Sequence, residues 1–319
     1  MTFFNRHMAG PFAQKARHLL ALCMISLTVI ASGTAMAEQP AEVDLRFAVL
    51  GDGEPKPLAE FPNFIDAVRD INAMAQRERI DFVIGVGDIA HKGTELQYEA
   101  ATPVLQALTL PFYPIMGNEE YNSTVERFLD YANRWNEGKA EFPSHRYVLD
   151  AGPVVMVFAS PDYSRDFYDE GIDWMVGQIE AALPKPVFLV VHGAQAGAYP
   201  ENPEKGITNP NFAAVLAQPN LAAILSGDLH MDMDRTVHSK EIDGVHYLHM
   251  PALERTKIPD ETNHTPMFRV VTVMSDRMVQ VDTYQTGNPE PLERHEYSFF
   301  LPVMMHGPVT DDEAGDSAE

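Results

Sequence analysis

Six side chains able to hold a metal ion stand at the ends of five short apolar runs. Leu50-Gly51-Asp52-Gly53-Glu54 closes the first run, Val86-Gly87-Asp88 the second, and Met116-Gly117-Asn118-Glu119-Glu120 the third. Val190-Val191-His192-Gly193 closes the fourth, and Leu225-Ser226-Gly227-Asp228-Leu229-His230 the fifth. Asp, Asn and His supply the oxygen and nitrogen donors that divalent cations take. The neighbouring glycines let the backbone turn sharply where each run stops. A single Gly-Asp is ordinary turn chemistry. Five such ends in order, with Asp, Asn and His in turn, are not. Asp52, Asp88, Asn118, His192, Asp228 and His230 therefore read as a two-metal site.

Such a site needs elements that deliver all five ends to one place. Val43–Leu50, Phe82–Val86, Phe112–Met116, Val154–Ala159, Val187–Val191 and Leu221–Leu225 are continuous apolar runs, the pattern of strands buried on both faces. Helical stretches lie between them: Phe61–Arg79, with Phe64, Ile65, Val68 and Ile71 on one face, then Glu95–Leu108, Val125–Trp135 and Ile172–Leu183. Alternation of strand and helix implies βαβ units, and in open α/β sheets ligands bind beyond the carboxyl ends of the strands. From about Arg235 the texture changes to short strands without helices, at Thr236–His238, Val245–Met250, Phe268–Met274 and Met278–Tyr284, with a tight turn at Asp276-Arg277. The chain reads as α/β, with a mixed sheet or a two-sheet α/β sandwich. Gly193–Pro210, rich in Gly, Pro and Asn, reads as a long functional loop, and Tyr121 and Tyr199 as candidates to line a cleft.

Residues 1–37 carry Arg6, Lys15 and Arg17, no acidic residue, an apolar centre at Leu19–Ile30 and an Ala35-Met36-Ala37 end. That is the form of a secretory signal peptide. A membrane anchor would want about 20 strongly apolar residues, and Ser32, Gly33 and Thr34 dilute this stretch. The single cysteine, Cys23, lies inside it, so the exported remainder would hold together without disulfides. The expected organisation is a signal peptide over 1–37, one domain over 38–306 and an acidic, disordered tail over 307–319. The expected location is the periplasm or the exterior, with no stable membrane association after cleavage. A net charge of −23 at pH 7 repels nucleic acid and anionic membranes and favours cations.

The ordered motifs resemble those of the calcineurin-like metallophosphoesterases: Asp-x-His, Gly-Asp, Gly-Asn-His-(Glu/Asp), an isolated His and Gly-His-x-His, each at a strand end. The resemblance covers roughly Leu45 to Met250 and implies that family's two-sheet α/β sandwich. It also implies one ion held by Asp52, Glu54, Asp88 and His230, and a second by Asp88, Asn118, His192 and Asp228, with Asp88 bridging. A hydroxide between the ions would attack phosphorus, with Asn118 stabilising developing charge. Glu119 stands where the family places the His that contacts substrate or leaving group, and Glu120 matches the acidic residue after it.

Three signature positions depart from the family, Glu54, Glu119 and Asp228, and each puts a carboxylate where a His is expected. Oxygen donors favour Mn²⁺, Mg²⁺ or Ca²⁺ over Zn²⁺, with iron admitted by the remaining His. Four or five carboxylates would nearly cancel two dications, weakening attraction for phosphate, and their crowding would raise one another's pKa, so that Glu119 is held protonated. His91, His246 and His249 are read as packing or hydrogen-bonding residues rather than ligands. Asp232 and Asp234 read as a polar strand face. The functional expectation is a metal-dependent phosphoester hydrolase, a phosphodiesterase or phosphatase, acting on a small-molecule phosphoester. The alternative is a non-catalytic divalent-cation or ligand-binding protein on the same scaffold.

Overall fold

A computed structural model describes residues 41–257 and 262–303 of the 319-residue chain. The signal-peptide and acidic-tail expectations, over 1–37 and 307–319, lie outside the described residues. In chain order the elements are β1 (Val43–Leu50), α1 (Pro62–Ala75), β2 (Phe82–Gly85), α2 (Glu95–Gln106), β3 (Phe112–Pro114), α3 (Val125–Trp135), β4 (Arg146–Asp150) and β5 (Val155–Ala159). Then follow α4 (Asp169–Ala181), β6 (Val187–Val191), α5 (Ala213–Leu216), β7 (Leu221–Ser226), β8 (Ser239–Ile242), β9 (Val245–His249), β10 (Met267–Met274), β11 (Met278–Gln285) and β12 (Tyr297–Phe300).

The strands form two six-stranded sheets, in the orders β12-β11-β10-β1-β2-β3 and β4-β5-β6-β7-β9-β8. β1, β2 and β3 run parallel, as do β5, β6, β7 and β9, while the outer strands pair antiparallel. Period-two alternation divides each strand between two layers. From β1, Phe47 and Val49 enter the core between the sheets with Phe158, Phe188 and Val190, while Ala48 and Leu50 face a second core under α1, α2 and α3. On the other side Val157, Leu189 and Ile224 pack beneath α4 through Ile172 and Met175. This is a two-sheet α/β sandwich. Among the described residues no helix is long and apolar enough to cross a membrane.

Helix ends are fixed by local chemistry. α3 starts at Thr124, whose hydroxyl accepts the Arg127 amide at 3.1 Å. α1 starts with Pro62 after an uncapped Phe61, and a distant carboxylate, Glu254, accepts the Phe64 amide at 2.7 Å in place of a local cap.

The structure corrects the sequence reading at three strands. Thr236–His238 is not a strand: Met233–Arg235 forms a 3₁₀ turn, Thr236 bonds back to Asp232, and pairing starts only at Ser239. β4 and β12 were not anticipated. β4, β8 and β12 all lie at sheet edges, where half-exposed sequences carry no continuous apolar signal. The hairpin turn at Asp276-Arg277 is present, with Arg277 at φ 75°.

Candidate metal centre

β1, β2 and β3 of one sheet and β6 and β7 of the other finish at the same edge of the sandwich, and the residues just beyond them meet. Asp52, Glu54, Asp88, His192, Asp228 and His230 are all buried, at 1% exposure or less. Isolated charges at that depth are costly unless they are paired or bind a cation. Asp88 (φ 52°), Asp228 (φ 72°) and His230 (φ 49°) all occupy the left-handed region, a strained backbone for non-glycine residues that tends to persist at functional sites. Gly117 is required beside them, because a Cβ there would collide with the carboxylate and amide of Asp88.

Two overlapping groups of donors result. Around His230, Nε2 lies 3.7 Å from Asp52 Oδ1, 3.7 Å from Glu54 Oε1 and 3.9 Å from Asp88 Oδ2. Around His192, Nε2 lies 3.3 Å from Asn118 Oδ1, 3.4 Å from Asp88 Oδ2 and 3.7 Å from Asp228 Oδ1. Asp88 Oδ2 thus faces both imidazoles, while its Oδ1 accepts the Glu119 amide at 2.8 Å. Each imidazole is oriented from behind: His192 Nδ1 sits 2.9 Å from the Val86 carbonyl and His230 Nδ1 3.2 Å from the Arg255 carbonyl. Nδ1–H donation to a carbonyl leaves the Nε2 lone pair for a metal. The separations suit donors about 2.1 Å from a common ion. Among the described residues the buried atoms His230 Nε2 and Asp52 Oδ2 have no hydrogen-bond partner, as befits donors that would face a cation.

The electrostatics point the same way. Burial works to raise Asp88, yet His192 and His230 hold its carboxyl well below the ordinary range. Burial works to lower His192, yet Asp88 and Asp228 push it up to about 10. Asp52 is raised by burial. Both of the opposed shifts answer a demand for positive charge among these oxygens, which a proton on His192 or a metal ion supplies. Glu120 lies behind the donors, its Oε2 accepting the Asp88 amide at 2.9 Å and the Gly117 amide at 2.8 Å. Its Oε1 accepts the Ile89 and Ala90 amides, both at 2.6 Å. Burial pushes this carboxyl up to about 8, with Asp88 adding to the rise and the amides opposing it.

The three carboxylates that stand in place of His do not crowd one another alone, as the sequence reading expected. Each has basic partners. Glu54 Oε1 lies 2.8 Å from Arg255 Nη2 and 3.3 Å from Lys56 Nζ. Burial and Asp88 push Glu54 up, but His230, Arg255 and Lys56 outweigh them and it sits below its ordinary value. Asp228 Oδ2 lies 2.9 Å from Arg165 Nε, and Lys205 Nζ donates to the Asp228 carbonyl at 3.1 Å. Glu119 Oε2 accepts the Lys92 amide at 2.8 Å and lies 2.8 Å from His91 Nδ1, with Lys56 3.6 Å from its Oε1.

Glu119 therefore belongs to a third group, with Glu54 and His91, whose ligand atoms lie within 4.8 Å of one another. His91, set aside in the sequence reading, is part of the site. Arg165, Lys205 and Arg255 were missed because they come from loops with no strand-end signal, and Lys56 was not singled out. The Gly193–Pro210 loop reaches the site through Lys205. Tyr199 is instead buried against His249, ring centroids 5.1 Å apart, and Tyr121 is exposed. His246 stacks on Phe299. Asp232 bonds His264 and Asp234 pairs with Arg294, both away from the donors.

The sequence pattern described as calcineurin-like phosphoesterase matches residues 45–232. The chain is 28% identical over 132 residues to a glycerophosphodiester phosphodiesterase of Enterobacter lignolyticus, across 40% of this chain and 46% of that protein. A purple acid phosphatase from yellow lupin (Lupinus luteus) superposes with a TM-score of 0.58 at 12% identity, over 80% of this chain and 53% of the other. The anchor of the inner membrane complex of Plasmodium superposes at 0.54 and 13% identity, over 82% and 89%. These structural likenesses speak for the fold alone. The chain spans about half the length of the bacterial and the lupin proteins.

Proposed function

The chain belongs to the calcineurin-like phosphoesterase family, and from that premise we propose that it is a metal-dependent phosphoester hydrolase acting outside the cytoplasm. The observation that carries this reading is two buried atoms without hydrogen-bond partners among the described residues, Asp52 Oδ2 and His230 Nε2, the latter facing Glu54 and Asp88. Mn²⁺, Mg²⁺ or Ca²⁺ suits so oxygen-rich a set. Bound there, divalent ions would supply Lewis acidity for the phosphate oxygens and for an attacking water.

The chain's own residues do the rest. Lys56, Arg165 and Lys205 keep 31%, 27% and 25% of their side chains exposed, so they can meet the negative oxygens of an incoming phosphoester. Arg165 Nη2 holds Asn118 Oδ1 at 2.8 Å, which fixes the Asn118 amide at the mouth of the site. His91 Nδ1 hydrogen-bonds Glu54 Oε2 at 2.9 Å and lies 2.8 Å from Glu119 Oε2, and His91 with Glu119 offers a proton for the leaving oxygen. A small phosphodiester is the preferred substrate, by likeness to the bacterial phosphodiesterase.

The same ion pairs favour a second reading, a non-catalytic cation-binding protein, since they satisfy the carboxylates without any substrate. Metal content and hydrolysis of activated phosphomono- and diesters with added Mn²⁺, measured on the protein and on Asp88→Ala, separate the two. Turnover that disappears in Asp88→Ala supports the enzyme. Bound metal with no turnover above the variant leaves the binding protein.

A further inference from the structure

The two halves of the site are not equivalent. In the His230 half, His230 Nε2 and Asp52 Oδ2 have no hydrogen-bond partner among the described residues, and no Lys or Arg lies against either atom there. In the His192 half one guanidinium already spans the outer donors: Arg165 Nη2 donates to Asn118 Oδ1 at 2.8 Å, and its Nε lies 2.9 Å from Asp228 Oδ2. That second contact is an ion pair, and neither Arg165 Nε nor Asp228 Oδ2 makes a hydrogen bond among the described residues. Lys205 adds another positive charge 3.5 Å from Asp228 Oδ1. Two buried groups of donors converge on Asp88, one with Glu54 and His230 and one with Asp52 and His192, and Asp228 belongs to neither.

We infer that Arg165 supplies the second positive charge of this centre, so that the protein binds one divalent ion, between Asp52, Glu54, Asp88 and His230, instead of two. The inference rests on the metal-dependent reading above. Its logic is the pairing of Asp228 with Arg165. A neutral His at position 228 would leave the guanidinium without a counter-charge, and a carboxylate provides one. A second dication would have to share Asn118 and Asp228 with a group that is positively charged at every accessible pH. The guanidinium keeps 27% of its side chain exposed, and its fork of N–H donors suits a phosphate oxygen. It stabilises charge but cannot act as a Lewis acid on water.

The test is metal stoichiometry. Chelator-stripped protein is titrated with Mn²⁺ and followed by calorimetry, native mass spectrometry and electron paramagnetic resonance. The wild type is expected to take up one ion per chain and to give an isolated Mn²⁺ spectrum. The double variant Arg165→Met/Asp228→His is expected to take up two, with the spectrum of a coupled pair. If the double variant does not fold, Arg165→Met alone replaces it, and the wild-type count decides regardless. A coupled pair in the wild type overturns the inference and leaves the hydrolase reading intact. A folded variant that still takes up one ion also overturns it. A wild type that binds no ion removes both.

Discussion

His91 Nδ1 lies 2.8 Å from Oε2 of Glu119 and 2.9 Å from Oε2 of Glu54. The position that carries a His in the family signature holds a carboxylate here, and an imidazole from the loop beyond β2 stands against it. An imidazole from another segment thus stands beside the position where the resemblance expects one. If this pair delivers the proton to the leaving group, His91→Gln lowers turnover of esters with poor leaving groups by about 10²-fold. Esters with activated leaving groups need little protonation and lose far less. Equal losses on both substrates would remove His91 from that role.

Arg255→Met tests how far Glu54 depends on its guanidinium. Removing one partner of a buried pair typically costs about 3–5 kcal/mol. Because Lys56 remains 3.3 Å from Glu54, a loss near 3 kcal/mol is expected in metal-free protein, by chemical denaturation. Saturating Mn²⁺ should recover part of it, since the ion supplies the missing charge. A loss unaffected by metal would place Glu54 outside the ion's reach.

Gly117→Ala should damage the site without touching a ligand. Its Cβ meets the Asp88 carboxylate and amide, and relief requires the backbone between β3 and Asn118 to move. A stability loss of about 1–3 kcal/mol is expected, together with a clear drop in metal affinity. Thermal melts and calorimetric titration read the two effects separately. Normal affinity in this variant would mean that Asp88 is not central.

Glu254, which is not among the candidate metal ligands, gives a pH dependence of its own. Burial pushes its carboxyl up to about 7 from an ordinary 4.5, while its bond to the Phe64 amide opposes the rise. A carboxyl with a higher pKa folded than unfolded binds its proton more tightly in the folded state. Its stabilising contribution is complete below pH 4.5 and is lost as pH rises through about 7. Glu254→Gln should flatten that part of the melting-temperature profile. An unchanged slope would assign it to another group.

Much of this molecule was legible in its sequence, for physical reasons that also mark where legibility stops. Central strands such as Val187–Val191 are buried on both faces and must be apolar throughout, so they declare themselves. Glycine beside Asp52, Asp88 and Asn118 marked the sharp turns. Edge strands such as Arg146–Asp150 are half exposed and carry no such constraint. His91, Arg165, Lys205 and Arg255 were illegible as site residues because only tertiary folding brings their loops to the strand ends. Their omission made the centre look far more negative than it is. Glu54, Glu119 and Asp228 are each met by a cation from another loop.

Glu120 joins two of those turns before any ion arrives. Its one carboxylate gathers amides from Asp88, Ile89 and Ala90 beyond β2 and from Gly117 beyond β3. The entropy of ordering these loops is thereby met during folding rather than at ion capture. Ion exchange should then be a local event of ligand and solvent replacement, fast in both directions, with almost no backbone response in amide hydrogen exchange. The centre can be emptied and refilled without the protein having to find its shape again.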